Sequence, residues 1–268
     1  MKSILVFDSG VGGLSVYQEI KRKLPDQHYI YVFDNEAFPY GELDDDVLIE
    51  RVSGIINTLC QQHEVSLIVI ACNTASTIVL PILRKAHTIP IVGVVPAIKP
   101  AAALSKKKSI GVLATPATVS RDYTQSLINE FAPDCEVTLV GTTELVYMAE
   151  NKIMGREISK VTLSQILQPF YQKTDCIVLG CTHFPLLKNE IQEILGKGYT
   201  VVDSGAAIAR RVGELLNSVE RIGDENFTAQ SERPNIAYCS AYKDQIQQIE
   251  KELATAFDLK EIRRVPFF

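Results

Sequence analysis

The sequence predicts an α/β protein with two pseudo-symmetric parallel-sheet domains, helices on both faces of each sheet, and an active site in the cleft between them. Three observations predict this. Short β-branched runs alternate with longer amphipathic stretches along the 268 residues, the pattern of parallel strands joined by helical crossovers. The strand runs are apolar throughout rather than alternating, as they are when both faces of a sheet are covered. Phrases also return: "SILVFDSG" from Ser3 resembles "SIGVLATP" from Ser109 at an offset of 106, and "LIVIACNT" from Leu67 resembles "CIVLGCTH" from Cys176 at an offset of 109. The similar offsets imply two domains of one ancestry, residues 1–95 plus 205–268 and residues 96–204.

In chain order the expected strands are Ile4–Phe7, Tyr29–Phe33, Leu67–Ala71, Ile91–Val94, Ser109–Leu113, Glu136–Val140, Cys176–Gly180 and Thr200–Val202. Each is a short run rich in β-branched or aromatic residues. Helical periodicity fills the intervals at Leu14–Lys23, Val47–Gln61, Val119–Phe131, Ile158–Tyr171, Leu186–Leu195 and Ala206–Leu216. The tail does not fit the second repeat. A helix from Ala206 is expected to return to the first domain, with Asn235–Ser240 and Ile262–Val265 as late strands there. "DENFTAQSERPN" (224–235) reads as a polar surface loop.

Composition excludes several classes. A net charge of -5 and a pI near 5.5 give no footprint for nucleic acid. The one basic run, Lys106–Lys108, reads as the end of a loop before a strand. No segment approaches the ~20 apolar residues of a membrane helix. The start, "MKSILVFDSG", is too short in its apolar part for a signal peptide and begins the first strand almost at once, so no long regulatory extension is expected. A cytoplasmic location follows, and there the six cysteines, Cys60, Cys72, Cys135, Cys176, Cys181 and Cys239, form no disulfide framework. No CxxC pair or other clear metal-ligand spacing occurs among them.

In parallel sheets, ligands gather at the carboxyl ends of the strands. Four phrases there are rich in polar groups. "FDSGVGGLS" supplies Asp8, Ser9 and three glycines before a helix whose amides suit a carboxylate or phosphate. "FPYGELDDD" supplies Tyr40 and Gly41. "ACNTAS" and "GCTHFP" each place a cysteine where a strand meets the next helix, where helix amides or a neighbouring His lower a thiol pKa. With one thiol at the edge of each domain, a ligand between them has a thiol on each side. That arrangement removes a proton from one face of a carbon and returns one to the other.

"FDSGVGGLSV", "FPYG", "ACNTAS", "GVVPA", "LGCTHFPLL" and "VDSGAAIA", in this order from Ile4 to about Arg211, resemble the glutamate racemases of the cofactor-independent aspartate/glutamate racemase superfamily. The resemblance implies interconversion of L- and D-glutamate, feeding peptidoglycan synthesis, with no pyridoxal phosphate and no metal. It implies Cys72 and Cys181 as the two acid/base residues, Cys72 acting on D-glutamate and Cys181 on L-glutamate. Asp8 then assists Cys72 and His183 assists Cys181. Ser9, Tyr40, Gly41, Asn73, Thr74, Thr182 and His183, with Asp8, match substrate-binding positions. Glu150 matches an acidic residue supporting the ammonium group or the histidine, with Glu144 as the alternative. Homodimers occur in that family; neither a membrane nor nucleic acid is an implied partner.

Three other readings compete: a racemase for aspartate or a hydantoin, a non-catalytic amino-acid-binding protein, and a thiol hydrolase using Cys181 and His183. The last leaves Cys72 and the duplication unexplained.

Overall fold

The computed structural model describes residues 2–220, 233–242 and 244–266. The expected loop at 224–235 lies outside these residues except for its last three positions. The chain forms two compact units, Met1–Val94 with Gly205–Phe268, and Val95–Ser204.

The first unit opens with β1 (Ser3–Asp8), α1 (Leu14–Lys23), β2 (His28–Phe33), α2 (Asp45–Gln62), β3 (Val65–Ile70), α3 (Asn73–Ala86) and β4 (Ile91–Gly93). The second unit holds α4 (Ile98–Leu104), β5 (Ser109–Ala114), α5 (Pro116–Ser120), α6 (Asp122–Phe131), β6 (Glu136–Gly141), α7 (Glu144–Ile153), α8 (Lys160–Leu167), β7 (Cys176–Leu179), α9 (Lys188–Leu195) and β8 (Thr200–Val202). The chain then returns to the first unit through α10 (Gly205–Glu220), β9 (Asn235–Cys239), α11 (Asp244–Ala256) and β10 (Leu259–Arg264).

Among the described residues the first sheet has the order β10-β9-β2-β1-β3-β4 and the second β6-β5-β7-β8, all pairs parallel. The order β2-β1-β3-β4 therefore repeats as β6-β5-β7-β8. The register repeats as well. Ala71 N donates to Phe7 O at 2.7 Å, and Gly180 N donates to Leu113 O at 2.7 Å. Asp34 N donates to Asp8 O at 3.0 Å, and Thr142 N to Ala114 O at 2.9 Å.

Both faces of the first sheet are covered. Leu5, Phe7, Ile30, Val32, Ile68 and Ile70 cluster with residues of α2 and α3. Their alternates Ile4, Val6, Tyr29, Tyr31 and Val69 are equally buried, and Tyr17 of α1 meets Tyr29 edge-on at 5.3 Å. This is why the strands read as unbroken apolar runs. In the second sheet Ile110, Val112 and Val178 pack with α4 and α6, and Gly111 lies against Phe170 on the opposite face. β6 and β10 are half exposed, because each is a sheet edge.

Prolines redraw three expected helices. Val119–Phe131 is two helices. Pro116 starts α5, Thr115 caps it by accepting from Thr118 N, and extended Arg121 separates α6. Ile158–Tyr171 becomes α8 plus a 3-10 turn at Gln168–Phe170 around Pro169. Leu186–Leu195 is a 3-10 turn at Phe184–Leu187, around Pro185, followed by α9. A proline lacks the N–H an interior turn needs but fits a first turn. Helices α3, α4, α7 and α11 lie outside the expected set. α3 carries Thr74, Thr77, Ile78 and Val79 as well as an internal Pro81, all poor helix formers, and is held by its buried face. The late strand expected at Ile262–Val265 runs from Leu259 to Arg264.

Candidate active site

Each unit carries its own polar set at the carboxyl ends of its central strands. In the first unit β1 ends on Asp8 and Ser9, and β3 leads into Cys72, the residue that precedes α3. All three are buried. Cys72 Sγ stands 3.9 Å from Ser9 Oγ. Asp8 turns its carboxylate back onto the glycine loop and accepts Gly13 N–H at 2.6 Å. The loop amides expected to await an anion are therefore partly used by the protein's own acid. A Cβ on Gly13 would stand 2.7 Å from Asp8 Cβ and 3.0 Å from Tyr31 Oη, so this position needs glycine for close approach. Tyr31, itself buried, donates to Gly10 O at 2.7 Å and holds the loop from beneath.

Asn73 and Thr74 open α3 and are buried beside Cys72. The amide nitrogen Nδ2 of Asn73 is buried and has no hydrogen-bond partner among the described residues. Such a donor is costly unless something accepts from it. Ser76 is fully used by the scaffold, donating to Ile70 O at 2.9 Å and accepting from Val94 N at 3.0 Å. Tyr40 and Gly41 sit in a 3-10 turn. The Tyr40 ring is buried in the cluster that includes Phe7, Cys72 and Ala75, with Phe7 6.1 Å away, and its hydroxyl donates to Asp34 Oδ2 at 2.7 Å.

In the second unit the same register position is filled by Cys181, followed by Thr182 and His183, all buried. His183 Nδ1 lies 3.9 Å from Cys181 Sγ, and Nε2 lies 2.9 Å from Glu150 Oε1. A carboxylate only accepts, so Nε2 carries the hydrogen; when the ring is neutral, Nδ1 faces the thiol as an acceptor. Glu150, His183 and Cys181 thus form a line able to take a proton from sulfur and stabilise the resulting charge. Lys152 fixes α7 beside this line, donating to Leu186 O at 2.8 Å and pairing with Glu190 at 2.7 Å. Glu144 is exposed in the first turn of α7; the acid on the histidine is Glu150.

Within the first unit the fold thus gathers Asp8, Ser9, Tyr40, Gly41, Cys72, Asn73 and Thr74 at one sheet edge. Within the second it gathers Glu150, Cys181, Thr182 and His183. Thr115, the polar residue that ends the first strand of the second repeat, and Thr118 are buried at the end of β5 with their hydroxyls 2.9 Å apart, and neither is among the expected site residues. The repeat held the signal, since its offset sets Thr115 opposite Ser9. Sequence reasoning missed Asp34 and Arg51. Among the described residues no group of three or more His, Cys, Asp or Glu side chains could hold a metal ion, and no helix is long and apolar enough to cross a membrane.

Comparison with known proteins gives the family. A glutamate racemase from Aliivibrio salmonicida is 55% identical over 90% of this chain and 88% of its own. The crystal structure of Escherichia coli glutamate racemase, in complex with L-glutamate and the activator UDP-MurNAc-ala, superposes with a TM-score of 0.92 at 44% identity, covering all of both chains. That of Francisella tularensis glutamate racemase in complex with D-glutamate has a TM-score of 0.80 at 28% identity, over 99% of this chain and 97% of that one. The family described as Asp/Glu/Hydantoin racemase matches residues 4–212. With two like-ordered parallel sheets, a cysteine at the same register position in each and a match over most of its length, the chain belongs to the Asp/Glu/Hydantoin racemase family.

Proposed function

We propose that the protein interconverts L- and D-glutamate by two-base proton transfer at the α-carbon, with Cys72 and Cys181 as the two acid/base residues. The observation that carries this reading is the repeated register: one thiol stands immediately after the same backbone bond in each sheet, Ala71 N to Phe7 O and Gly180 N to Leu113 O. A duplicated thiol has no use in a hydrolase, which needs one nucleophile. A reaction that exchanges the two faces of one carbon needs one acid/base on each side.

The steps follow from the side chains. As a thiolate, one cysteine takes the α-proton while the other, as a thiol, gives its proton to the opposite face, and the roles reverse for the other enantiomer. Cys181 acts on L-glutamate with His183 and Glu150 behind it, and Cys72 acts on D-glutamate with Asp8 nearby. General base work supplies roughly 10²–10⁴-fold. The remainder rests on donors placed around the carboxylate as it gains charge, a role that suits Asn73 Nδ2, Ser9, Thr74, Thr182 and the turn at Tyr40–Gly41. Neutral donors serve well because they favour the developing charge over the ground state. No pyridoxal phosphate or metal enters this chemistry. The D-glutamate formed supplies peptidoglycan synthesis in the cytoplasm.

Relatives in complex with L-glutamate and with D-glutamate support the choice of substrate. The test is incubation of pure L-glutamate with dialysed enzyme in D₂O. Optical rotation should fall to zero without added cofactor. Early D-glutamate should carry one deuterium at Cα while the remaining L-glutamate stays protiated. Deuterium appearing equally in recovered L-glutamate would indicate a single base, and activity that appears only with zinc or pyridoxal phosphate would overturn the mechanism. Faster turnover of aspartate in the same assay would transfer the reading to that substrate.

A further inference from the structure

The Tyr40 hydroxyl is committed to the protein itself. It donates to Asp34 Oδ2 at 2.7 Å, and Asp34, at the end of β2, is fully buried. Arg51 of α2 holds the same carboxylate in a two-pronged grip, Nε to Oδ2 at 2.7 Å and Nη2 to Oδ1 at 2.8 Å. The Arg51 guanidinium also reaches Glu36 Oε2 at 2.9 Å. A planar fork on a carboxylate fixes direction as well as distance. Burial pushes the Asp34 carboxyl up, but bonds from Arg51, Ser240 and Tyr40 outweigh it and hold the group below its usual range. Asp34 is therefore an anion. Burial, then the Asp34 charge, push the Tyr40 phenol well above its usual value, so it remains a donor.

The second unit has no such arrangement at the matching position. Thr142 stands there, its amide on Ala114 O just as the Asp34 amide is on Asp8 O. The ion pair thus belongs to the Cys72 half. It is tied to the reacting side by the Tyr40 ring, which lies 6.1 Å from Phe7 and belongs to the same buried cluster as Cys72. Within the turn, Glu42 N donates to Pro39 O at 3.2 Å and Leu43 N to Tyr40 O at 3.3 Å. These bonds do not use the amides of Tyr40 and Gly41, the type of donor that suits a carboxylate.

We propose that Asp34 and Arg51 are positioning residues: the ion pair holds Tyr40 by its hydroxyl and so fixes the Tyr40–Gly41 turn that receives a carboxylate of the amino-acid substrate. This rests on the racemase reading above. Arg51 has a second effect. It compensates the Asp34 charge, which would otherwise oppose an anionic substrate.

The test uses the full-length protein with Arg51→Met, Arg51→Lys, Tyr40→Phe and the Arg51→Met/Tyr40→Phe double variant. Glutamate KM and kcat are measured with the calorimetric Kd, and the folded fraction is followed by circular dichroism. Arg51→Met should raise KM and Kd together by about tenfold, with kcat changed by less than about threefold. Arg51→Lys should recover part of the loss. The double variant should bind no worse than Arg51→Met alone, since both changes cut one connection. Unchanged KM and Kd with a fall only in apparent kcat would mean that Arg51 merely keeps molecules folded, and would overturn the proposal, as would additive losses in the double variant. If the unaltered protein binds glutamate without racemising it, the racemase reading fails while the Kd comparison still decides the role of Arg51.

Discussion

Cys72 and Cys181 hold the same register position, yet their neighbours differ. Cys72 has Ser9 at 3.9 Å, and Cys181 has His183 at the same distance with Glu150 behind it. If the two thiols flank one α-carbon, each single serine variant fails for a different reason. Cys72→Ser leaves the Cys181 side able to take a proton from an L-amino acid, and Cys181→Ser leaves the Cys72 side able to do so from a D-amino acid. Serine is a far weaker acid/base than a thiol near neutral pH, so racemisation should fall by roughly 10²–10⁴-fold in either variant. A β-chloro analogue needs only one abstraction before chloride leaves. Cys72→Ser should therefore still eliminate from the L form and Cys181→Ser from the D form, as measured by chloride release. The same preference in both variants would overturn the assignment of faces. Glu150→Gln tests the line behind Cys181. An amide no longer stabilises an imidazolium, so abstraction from L-glutamate should slow by at least about tenfold, as read from initial deuterium incorporation starting from L-glutamate.

At the scale of elements, the turn from β1 to α1 depends on close approach. A methyl group at position 13 would press on Asp8 Cβ at 2.7 Å and Ala71 Cβ at 3.2 Å. Gly13→Ala should cost about 1–3 kcal/mol in urea unfolding, the usual range for overpacking, and should lower activity because Asp8 must move. The opposite end of the first sheet carries a pH dependence. His28, at the start of β2, meets Ser3 Oγ at 2.8 Å and Pro234 O at 3.1 Å, and His63 meets Tyr238 Oη at 2.9 Å. Burial lowers both imidazole pKa values below 6.5, with Arg233 adding to the effect at His28 and Arg263 at His63. The folded state thus prefers the neutral rings, while the unfolded chain takes up protons first as pH falls. Their contribution to stability is present above pH 6.5 and is lost as pH drops from there through the folded values. The thermal midpoint should fall between pH 7.5 and pH 5.5, and the His28→Asn/His63→Gln variant should flatten that fall.

At the scale of the whole molecule, two units with one strand order are joined by a chain that leaves the first at Val94 and returns at Gly205. If both supply substrate contacts, saturating glutamate should slow amide hydrogen exchange at Asn73–Thr74 and at Thr182–His183 together. At a hundred times Kd the folded state should gain about 2.7 kcal/mol. Protection confined to one segment would count against the two-base reading. The sequence by itself determined the α/β class, because strands covered on both faces are apolar at every position and interrupt helical periodicity visibly. It also determined the cysteine pair, because duplication left two copies of one strand ending at similar offsets. Tertiary structure decided what joins distant positions. Glu144 and Glu150 are equally acidic in the sequence, but six residues at about 100° each set them about 120° apart on α7, and Glu150 is the one within 2.9 Å of His183. Asp34 and Arg51 lie seventeen residues apart, and nothing in their local sequence marks them as a pair. Only the packing of α2 against β2 brings the guanidinium to a buried carboxylate, because a buried charge selects its partner by position in space rather than by neighbourhood along the chain.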